Sequence, residues 1–464
     1  MNKVQHNMEA ARTGAGHVTQ LGMSRLQKLA PRPTRLEDTG LGETFVADLV
    51  AKHLLQGGVL TMGELTNRLA LSGSIVESVL NFMRREARIE VRGPASGDSA
   101  SSLRYALTDR GRVTAQDAML RGGYVGPAPV TLDAYREIVR AQTIHDRSVT
   151  QQAMTAAFAD VVVRDEILGQ LGPSLNSGRA IFIYGPAGTG KTYLTQRMAR
   201  LFPQMTLIPH ALVINEAVIE IFDPALHKPQ DLSIPNPNIM LEQGFDPRFM
   251  ACHRPVIISG GELTGDMLEV HYDADSRVYQ APLQLKANNG IFIIDDMGRQ
   301  RVAPQAVFNR WIVPLEEKKD YLSLGAGQHF SVPFDVVLVF STNMHPTDLA
   351  DEAFLRRIGY KIEFQYLRPD EYRRIWEQVC ADNGITSDPD VLAHVIEDLH
   401  HRHGTPMAPC HPRDLLGLAM DHAAYLGQPR HVTREHMDWA WKNYFVSLKP
   451  GEHAQHATAL DGGR

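Results

Sequence analysis

No stretch of 18 or more consecutive apolar residues occurs anywhere in this chain of 464 residues, so no segment of it reads as a membrane-spanning helix, which takes about 20. The first residues, MNKVQHNMEAARTGAGH, lack the apolar stretch and the small-residue cleavage site of a secretory signal. Cysteine is scarce: Cys252, Cys380 and Cys410 are the only three. They stand too far apart for a disulfide framework and suit a reducing compartment, so the expected location is the cytoplasm. Nor does one sign of charge dominate. The formal net charge of -6 offers nucleic acid no general electrostatic grip, and any such contact needs a local patch. What the chain does have is an ordinary globular composition, 43% hydrophobic and 22% charged, which excludes wholesale disorder. Its length suggests about three domains.

Residues 1–40 are rich in Ala, Gln, Arg, Pro and Gly with little periodicity, and read as a flexible arm. From Glu43 the apolar residues fall at helical spacing as far as Gly57-Gly58. Thr61 with Glu64 three residues on predicts a capped short helix to Leu71, and Ile75, Val76, Val79, Leu80 and Met83 mark one face of a longer one. Two extended stretches, Ile89–Val91 and Leu103–Leu107, are joined by the hairpin-like GPASGDSASS. Helices followed by a two-stranded wing predict a winged-helix domain over residues 41–120. A Gly/Pro-punctuated linker with a helix covers 121–145. Residues 146–365 alternate strands and helices, the rhythm of a parallel sheet covered on both faces. Residues 366–446 read as all helix, and 447–464 as a flexible tail.

The strand Ala180–Tyr184 runs into Gly185-Pro186-Ala187-Gly188-Thr189-Gly190-Lys191-Thr192, with a helical pattern behind it. Glycines there let the backbone turn its N–H groups onto phosphate oxygens, and the helix N-terminus adds favourable dipole charge. In such a loop the lysine, Lys191, reaches the β- and γ-phosphates, and the hydroxyl of Thr192 ligates Mg²⁺. A second apolar strand, Ile291–Ile294, ends in Asp295-Asp296. Asp295 is placed to hold the Mg²⁺ shell, and Asp296 to orient the attacking water. A third, Val336–Phe340, ends in Ser341-Thr342-Asn343.

Together these motifs resemble the AAA+ ATPases over residues 146–445. The resemblance implies an αβα nucleotide-binding domain with a parallel sheet, a small all-α lid, ATP and Mg²⁺ as ligands, and ATP hydrolysis. It implies that Asn343 helps to position the water. The segment Leu349–Arg357 is similar to the one that carries an arginine finger into a neighbouring subunit, with Arg356 or Arg357 in that role. Pro412-Arg413-Asp414 is similar to the family's second sensor, with Arg413 on the γ-phosphate, and Phe158–Val163 to the segment near adenine. The family usually has Glu where this chain has Asp296, one methylene shorter. It also implies a homo-oligomeric ring, expected to be a hexamer, that remodels a client protein.

About 90 residues separate the phosphate-loop helix from the second strand, far more than a connection needs, so an insertion is expected. Tyr321–Pro333 alternates around a Gly-containing turn and predicts a β-hairpin just before the strand that ends at Asn343. This resembles the AAA+ branch with a hairpin before the first sensor, which includes MoxR-type chaperone ATPases and bacterial enhancer-binding activators. Gly261-Glu262-Leu263-Thr264-Gly265-Asp266 is similar to the loop those activators press on their sigma factor, with Leu263 in place of its aromatic. With a winged helix in front, the chain looks most like a bacterial group described as predicted chaperone-type ATPases associated with Flp pilus loci. His400, His401, His403, Cys410 and His411 match no closed zinc spacing and read as part of the lid. Between 41 and 112, nine Lys/Arg stand against eight Asp/Glu, a poor phosphate-binding balance. Protein docking is therefore favoured over nucleic acid for the winged helix. The rival reading is a DNA-binding regulator that uses ATP as an assembly switch.

Overall fold

The computed structural model describes residues 24–93, 103–146, 148–230 and 244–445. Its centre is a five-stranded parallel sheet made of β1 (Ile181–Tyr184), β2 (Val256–Ser259), β3 (Gly290–Ile294), β4 (Val336–Thr342) and β5 (Tyr360–Glu363), in the spatial order β2-β3-β4-β1-β5. Side chains alternate across a strand. Phe182, Phe292, Ile294, Leu338 and Phe340 therefore face one way, onto Phe308, Trp311 and Phe354 of two helices. Ile181, Ile183, Ile291, Ile293, Val337 and Val339 face the other, onto Leu171, Leu175, Leu194 and Met198. Both faces are covered, which is why β3 and β4 read as unbroken apolar runs. This is the αβα sandwich that the resemblance implies. β2 is the strand sequence reading passed over: Val256–Ser259 is four residues between Pro255 and Gly260-Gly261.

The expected insertion is a second sheet. Strands Ala211–Ile214, Ala217–Glu220, His271–Asp273 and Val278–Gln280 join Val130–Thr131, a piece of the segment read as a linker, in one five-stranded sheet. The hairpin Lys319–Leu324/Gln328–Pro333 precedes β4, pairing from Lys319↔Pro333 to Leu324↔Gln328. Its inward residues Leu322, Leu324, Phe330 and Val332 join the core of the inserted strands.

Ahead of these lie helices Glu43–Gly57, Met62–Leu69, Gly73–Arg85 and Asp109–Arg121 with a small antiparallel sheet, Leu60–Thr61, Arg104–Leu107 and Ile89–Arg92 in spatial order. Thr61 Oγ1 accepts from the Glu64 N–H at 3.2 Å, while the Glu64 carboxylate accepts from the Thr61 N–H at 2.7 Å. Most of the connector between the last two strands lies outside the described residues. This region is joined firmly to the insertion. Ala211 and Val278 are buried in the same cluster as Leu54, Leu65 and Val79. The Gly123 N–H donates to the Arg277 carbonyl at 3.0 Å, so close that a Cβ on Gly123 would sit 1.8 Å from the Ser276 oxygen.

Two expectations need correcting. The arm assigned to residues 1–40 is packed from residue 24 onward. Residues 24–29 are helical, Leu26 and Ala30 are buried beside Tyr135, Ile138 and Phe249, and the Asp246 N–H donates to the Ala30 carbonyl at 2.8 Å. The buried Arg248–Asp246 pair sends a guanidinium N–H to the Thr39 carbonyl at 3.2 Å. Periodicity misses such a segment because its few apolar residues are spaced for partners some 100 to 200 positions away. Residues 1–23, and the tail 447–464, lie outside the described residues. The lid is also not all helix: between Pro369–Asn383 and Arg434–Tyr444 a short parallel pair joins Thr386–Ser387 to His431–Val432. Arg164 ties the lid to the sandwich through Glu371 at 2.7 Å.

Candidate functional site

β1, β3 and β4 end side by side, and their carboxyl ends carry the site, as expected where a ligand binds an open parallel sheet. After β1 the chain turns with Gly185, Gly188 and Gly190 at φ of 138°, 77° and 84°, a region that glycine enters without steric cost. Two of these glycines also admit close neighbours: a Cβ would lie 2.0 Å from the Phe364 carbonyl oxygen at Gly185 and 2.8 Å from Cys410 Sγ at Gly188. The Thr189 hydroxyl closes the loop onto the Pro186 carbonyl at 2.8 Å.

Lys191 begins the following helix (Lys191–Arg197) and is buried. Its ammonium donates to the Gly185 and Pro186 carbonyls, each at 2.8 Å, and to Asn343 Oδ1 at 2.7 Å. Burial pushes its pKa down, while Asp295 and Asp296 pull it back up. The Thr192 hydroxyl donates to Asp295 Oδ2 at 2.6 Å. Asn343 Nδ2 donates to Asp296 Oδ1 at 3.2 Å. The two adjacent acids are therefore turned to different partners. The backbone makes this possible: Asp296 has φ 49°, unusual for a residue other than glycine. It is held there by the Met297 N–H on the Ser341 carbonyl at 2.8 Å and the Arg299 N–H on its own carbonyl at 3.0 Å.

Thr192 and Asp295 offer one hydroxyl and one carboxylate oxygen beside the phosphate loop. That set fits Mg²⁺, which takes few protein ligands and completes its octahedron with phosphates and water. No group of three or more His, Cys, Asp or Glu able to hold a metal occurs among the described residues. In the lid, His400 stacks on His411 with ring centroids 5.3 Å apart, and its Nδ1 lies 2.9 Å from the Thr405 carbonyl oxygen, as core histidines do.

A cavity of about 670 Å³ lies between the phosphate loop and the lid. Ala187 to Thr192, Asp295, Asp296 and Asn343 all line it, and so does Arg413 from the first turn of helix His411–Tyr425. Arg413 is mostly exposed and bonds Asp414 at 3.0 Å. Arg356 and Arg357 are not brought to this cavity. Arg356 pairs with Glu352 at 2.7 Å on the surface, and Arg357 bonds Glu316 and the Ala353 carbonyl. Sequence reading missed several lining residues, among them Arg299, Ile375, Gln378, Val379 and Asp382. Arg299 stands three residues past the second acid, and its side chain has no partner among the described residues. The other four share one face of helix Pro369–Asn383, a spacing that by itself marks only an amphipathic helix. The echo of the activator loop is corrected here: Leu263 is fully buried beside Ile257, Phe292 and Trp311, and is no exposed loop tip.

A family model described as a domain of unknown function (DUF8689) matches residues 368–443. No curated protein sequence matches the chain. Among solved structures it is similar to RuvB of Thermotoga maritima, described as a Holliday junction branch migration motor (TM-score 0.34, 11% identity, 65% of this chain and 72% of that one). It is similar as well to NtrX from Brucella abortus (0.39, 17%, 75% and 70%). A third is a complex between subunits BchI and BchD of magnesium chelatase (0.34, 18%, 67% and 99%). The matched family model covers the lid; the parallel sheet and its phosphate loop lie outside it.

Proposed function

We propose that the chain is an AAA+ ATPase that binds Mg²⁺ and ATP at the carboxyl ends of β1, β3 and β4 and hydrolyses the nucleotide. One observation carries the reading. Two short chains of contacts, Thr192–Asp295 and Lys191–Asn343–Asp296, cross those three strand ends and separate a metal-holding acid from a second, exposed one. The loop amides and Lys191 bind the phosphates. Thr192 and Asp295 hold Mg²⁺, which neutralises phosphate charge when bound. Asp296, steadied by Asn343, orients the attacking water, and Arg413 meets the γ-phosphate from the lid. Arg356 or Arg357 serves the site of a neighbouring copy in a ring, taken as a hexamer. The test is hydrolysis of Mg·ATP by the full chain, abolished in Lys191→Ala; a wild-type protein that neither binds nor hydrolyses ATP overturns the reading.

We infer that the work done is the remodelling or assembly of a client protein complex in the cytoplasm, in the pilus or secretion setting to which the sequence resemblance points. Residues 41–120 are read as a winged helix that docks protein. Val91, Leu103, Val113 and Leu120 are exposed there, while Arg92 and Arg110 are paired with Glu90 and Glu86. The rival, a DNA-binding regulator switched by ATP, draws on Ser78, Asn81, Arg84 and Arg85, which line one shallow groove on helix Gly73–Arg85. Capture of one stoichiometric protein by Asp296→Asn supports the client reading. Binding of duplex DNA that depends on Arg84 and Arg85 supports the rival.

A further inference from the structure

Between β3 and helix Pro304–Glu317 the chain turns over residues 295–300, and main-chain bonds tie this turn to the neighbouring strands. The Asp295 N–H donates to the Ser259 carbonyl and the Met297 N–H to the Ser341 carbonyl, each at 2.8 Å. The Met297 carbonyl accepts from the Thr342 hydroxyl at 2.7 Å. Asp296 sits between these anchors at φ 49°, a conformation that such a residue keeps where surrounding contacts impose it. Its carboxylate is exposed and meets one hydrogen-bond partner among the described residues, Asn343 Nδ2 at 3.2 Å. A side chain held so lightly at its tip takes its position from its backbone.

One side chain closes the turn. Gln300 is half-buried and does not line the nucleotide cavity. Its Oε1 accepts from the Gly298 N–H and its Nε2 donates to the Asp295 carbonyl, each at 2.8 Å. Those two backbone groups stand on either side of Asp296. An amide suits both, since one needs an acceptor and the other a donor, and a carboxylate offers no donor. Gly298 has φ 103°, and a Cβ there would lie 2.9 Å from both Leu349 Cδ2 and Met344 Sδ. The turn therefore packs directly on the chain that follows β4.

We propose that Gln300 is a positioning residue for hydrolysis: its amide braces the main chain on both sides of Asp296 and so aims that carboxylate at the attacking water. The inference rests on the ATP reading and deepens it, because Asp296 orients the water only under that reading. Asp295 has two further anchors, the Ser259 carbonyl on its N–H and the Thr192 hydroxyl on its carboxylate. Release of the brace thus leaves the metal-holding acid in place and frees its neighbour. The loss falls on turnover and spares nucleotide binding.

The experiment uses the full chain as wild type, Gln300→Met and Gln300→Glu. Methionine keeps the length of the side chain without its amide; glutamate keeps an acceptor for Gly298 and loses the donor. Both variants should bind Mg·ATPγS with near wild-type affinity. In single turnover of pre-bound ATP both should be at least about tenfold slower, since a misplacement of about 1 Å can cost about 100-fold. In an Asp296→Asn background Gln300→Met should add no further loss, because the carboxylate it positions is gone. Wild-type turnover in Gln300→Met overturns the proposal and leaves the ATP reading standing. So does a loss of Mg·ATPγS affinity as large as the loss of rate, because Gln300 then supports the whole site. A full further loss in the Asp296→Asn background overturns it too, because Gln300 then acts apart from Asp296. A wild type that binds Mg·ATP without hydrolysing it overturns the proposal together with the hydrolysis part of the ATP reading, and one that does not bind it overturns both entirely.

Discussion

The side chain of Asn343 joins Lys191 to Asp296: its oxygen accepts from the lysine ammonium at 2.7 Å, and its nitrogen donates to the second acid at 3.2 Å. The phosphate loop and the ends of β3 and β4 are thus linked through one amide. Lys191, Asn343 and Asp296 come from three separate parts of the sequence and meet only in the folded chain.

Lys191→Ala removes the one buried cation of the phosphate loop. It should abolish binding of a fluorescent ATP analogue in an equilibrium titration, with the thermal transition of the free protein preserved. Wild-type affinity in this variant would sink the phosphate-loop assignment.

Asp295 and Asp296 should separate cleanly. Asp295→Ala takes away the partner of Thr192 and should weaken Mg²⁺-dependent ATP binding. Asp296→Asn should bind ATP with near-normal affinity yet hydrolyse it at least about tenfold more slowly, since a positioned base contributes about 10² to 10⁴. Asp296→Glu should keep or raise the rate. Single-turnover hydrolysis of pre-bound ATP reads the chemical step apart from assembly. Hydrolysis at the wild-type rate by Asp296→Asn would mean that the water is activated elsewhere.

Arg356 and Arg357 lie outside the chain's own cavity, so their contribution to hydrolysis is expected in trans. Arg356→Ala/Arg357→Ala and Lys191→Ala should each be inactive alone, and their mixture should recover part of the ATPase rate at shared interfaces. Mixtures that stay inactive although both variants assemble, or an arginine variant that hydrolyses normally, would count against a finger from the neighbour.

The lid tether should be sensitive to acid. Burial raises the Glu371 carboxyl, but the Arg164 guanidinium and the Arg368 N–H outweigh it and leave its pKa below the ordinary 4.5. A carboxyl lowered in the folded state contributes stability that is complete above its unfolded pKa and is lost as pH falls through the folded one. Glu371→Gln should therefore cost about 1.5–3 kcal/mol at neutral pH, the range for a hydrogen bond to a charged group. The gap from wild type should close as pH drops below 4.5. Denaturant titrations at several pH values measure it, and a gap independent of pH would remove the ion pair from the account.

Much of this protein is local in sequence and could be read there. The glycine loop, the apolar runs of β1, β3 and β4 with polar residues at their ends, the Thr61–Glu64 cap and the hairpin before β4 each declare themselves within about ten residues. Their physics is local: backbone conformation, strand burial on both faces, capping. The sequence likewise determined, through the Asp295-Asp296 pair, that two carboxylates stand at one strand end. Tertiary structure decided which partner each acid meets, because the left-handed φ of Asp296 and the reach of Asn343 across the sheet depend on β3 and β4 lying side by side. It also decided that residues 24–40 pack rather than trail, that Val130–Thr131 completes a sheet begun eighty residues later, and that Leu263 is core. Each rests on contacts between residues far apart along the chain, and no periodicity within a short window carries that information. The lid-helix face ending at Asp382 makes the same point: helical spacing fixes which residues share a face, and only the fold says what that face looks upon.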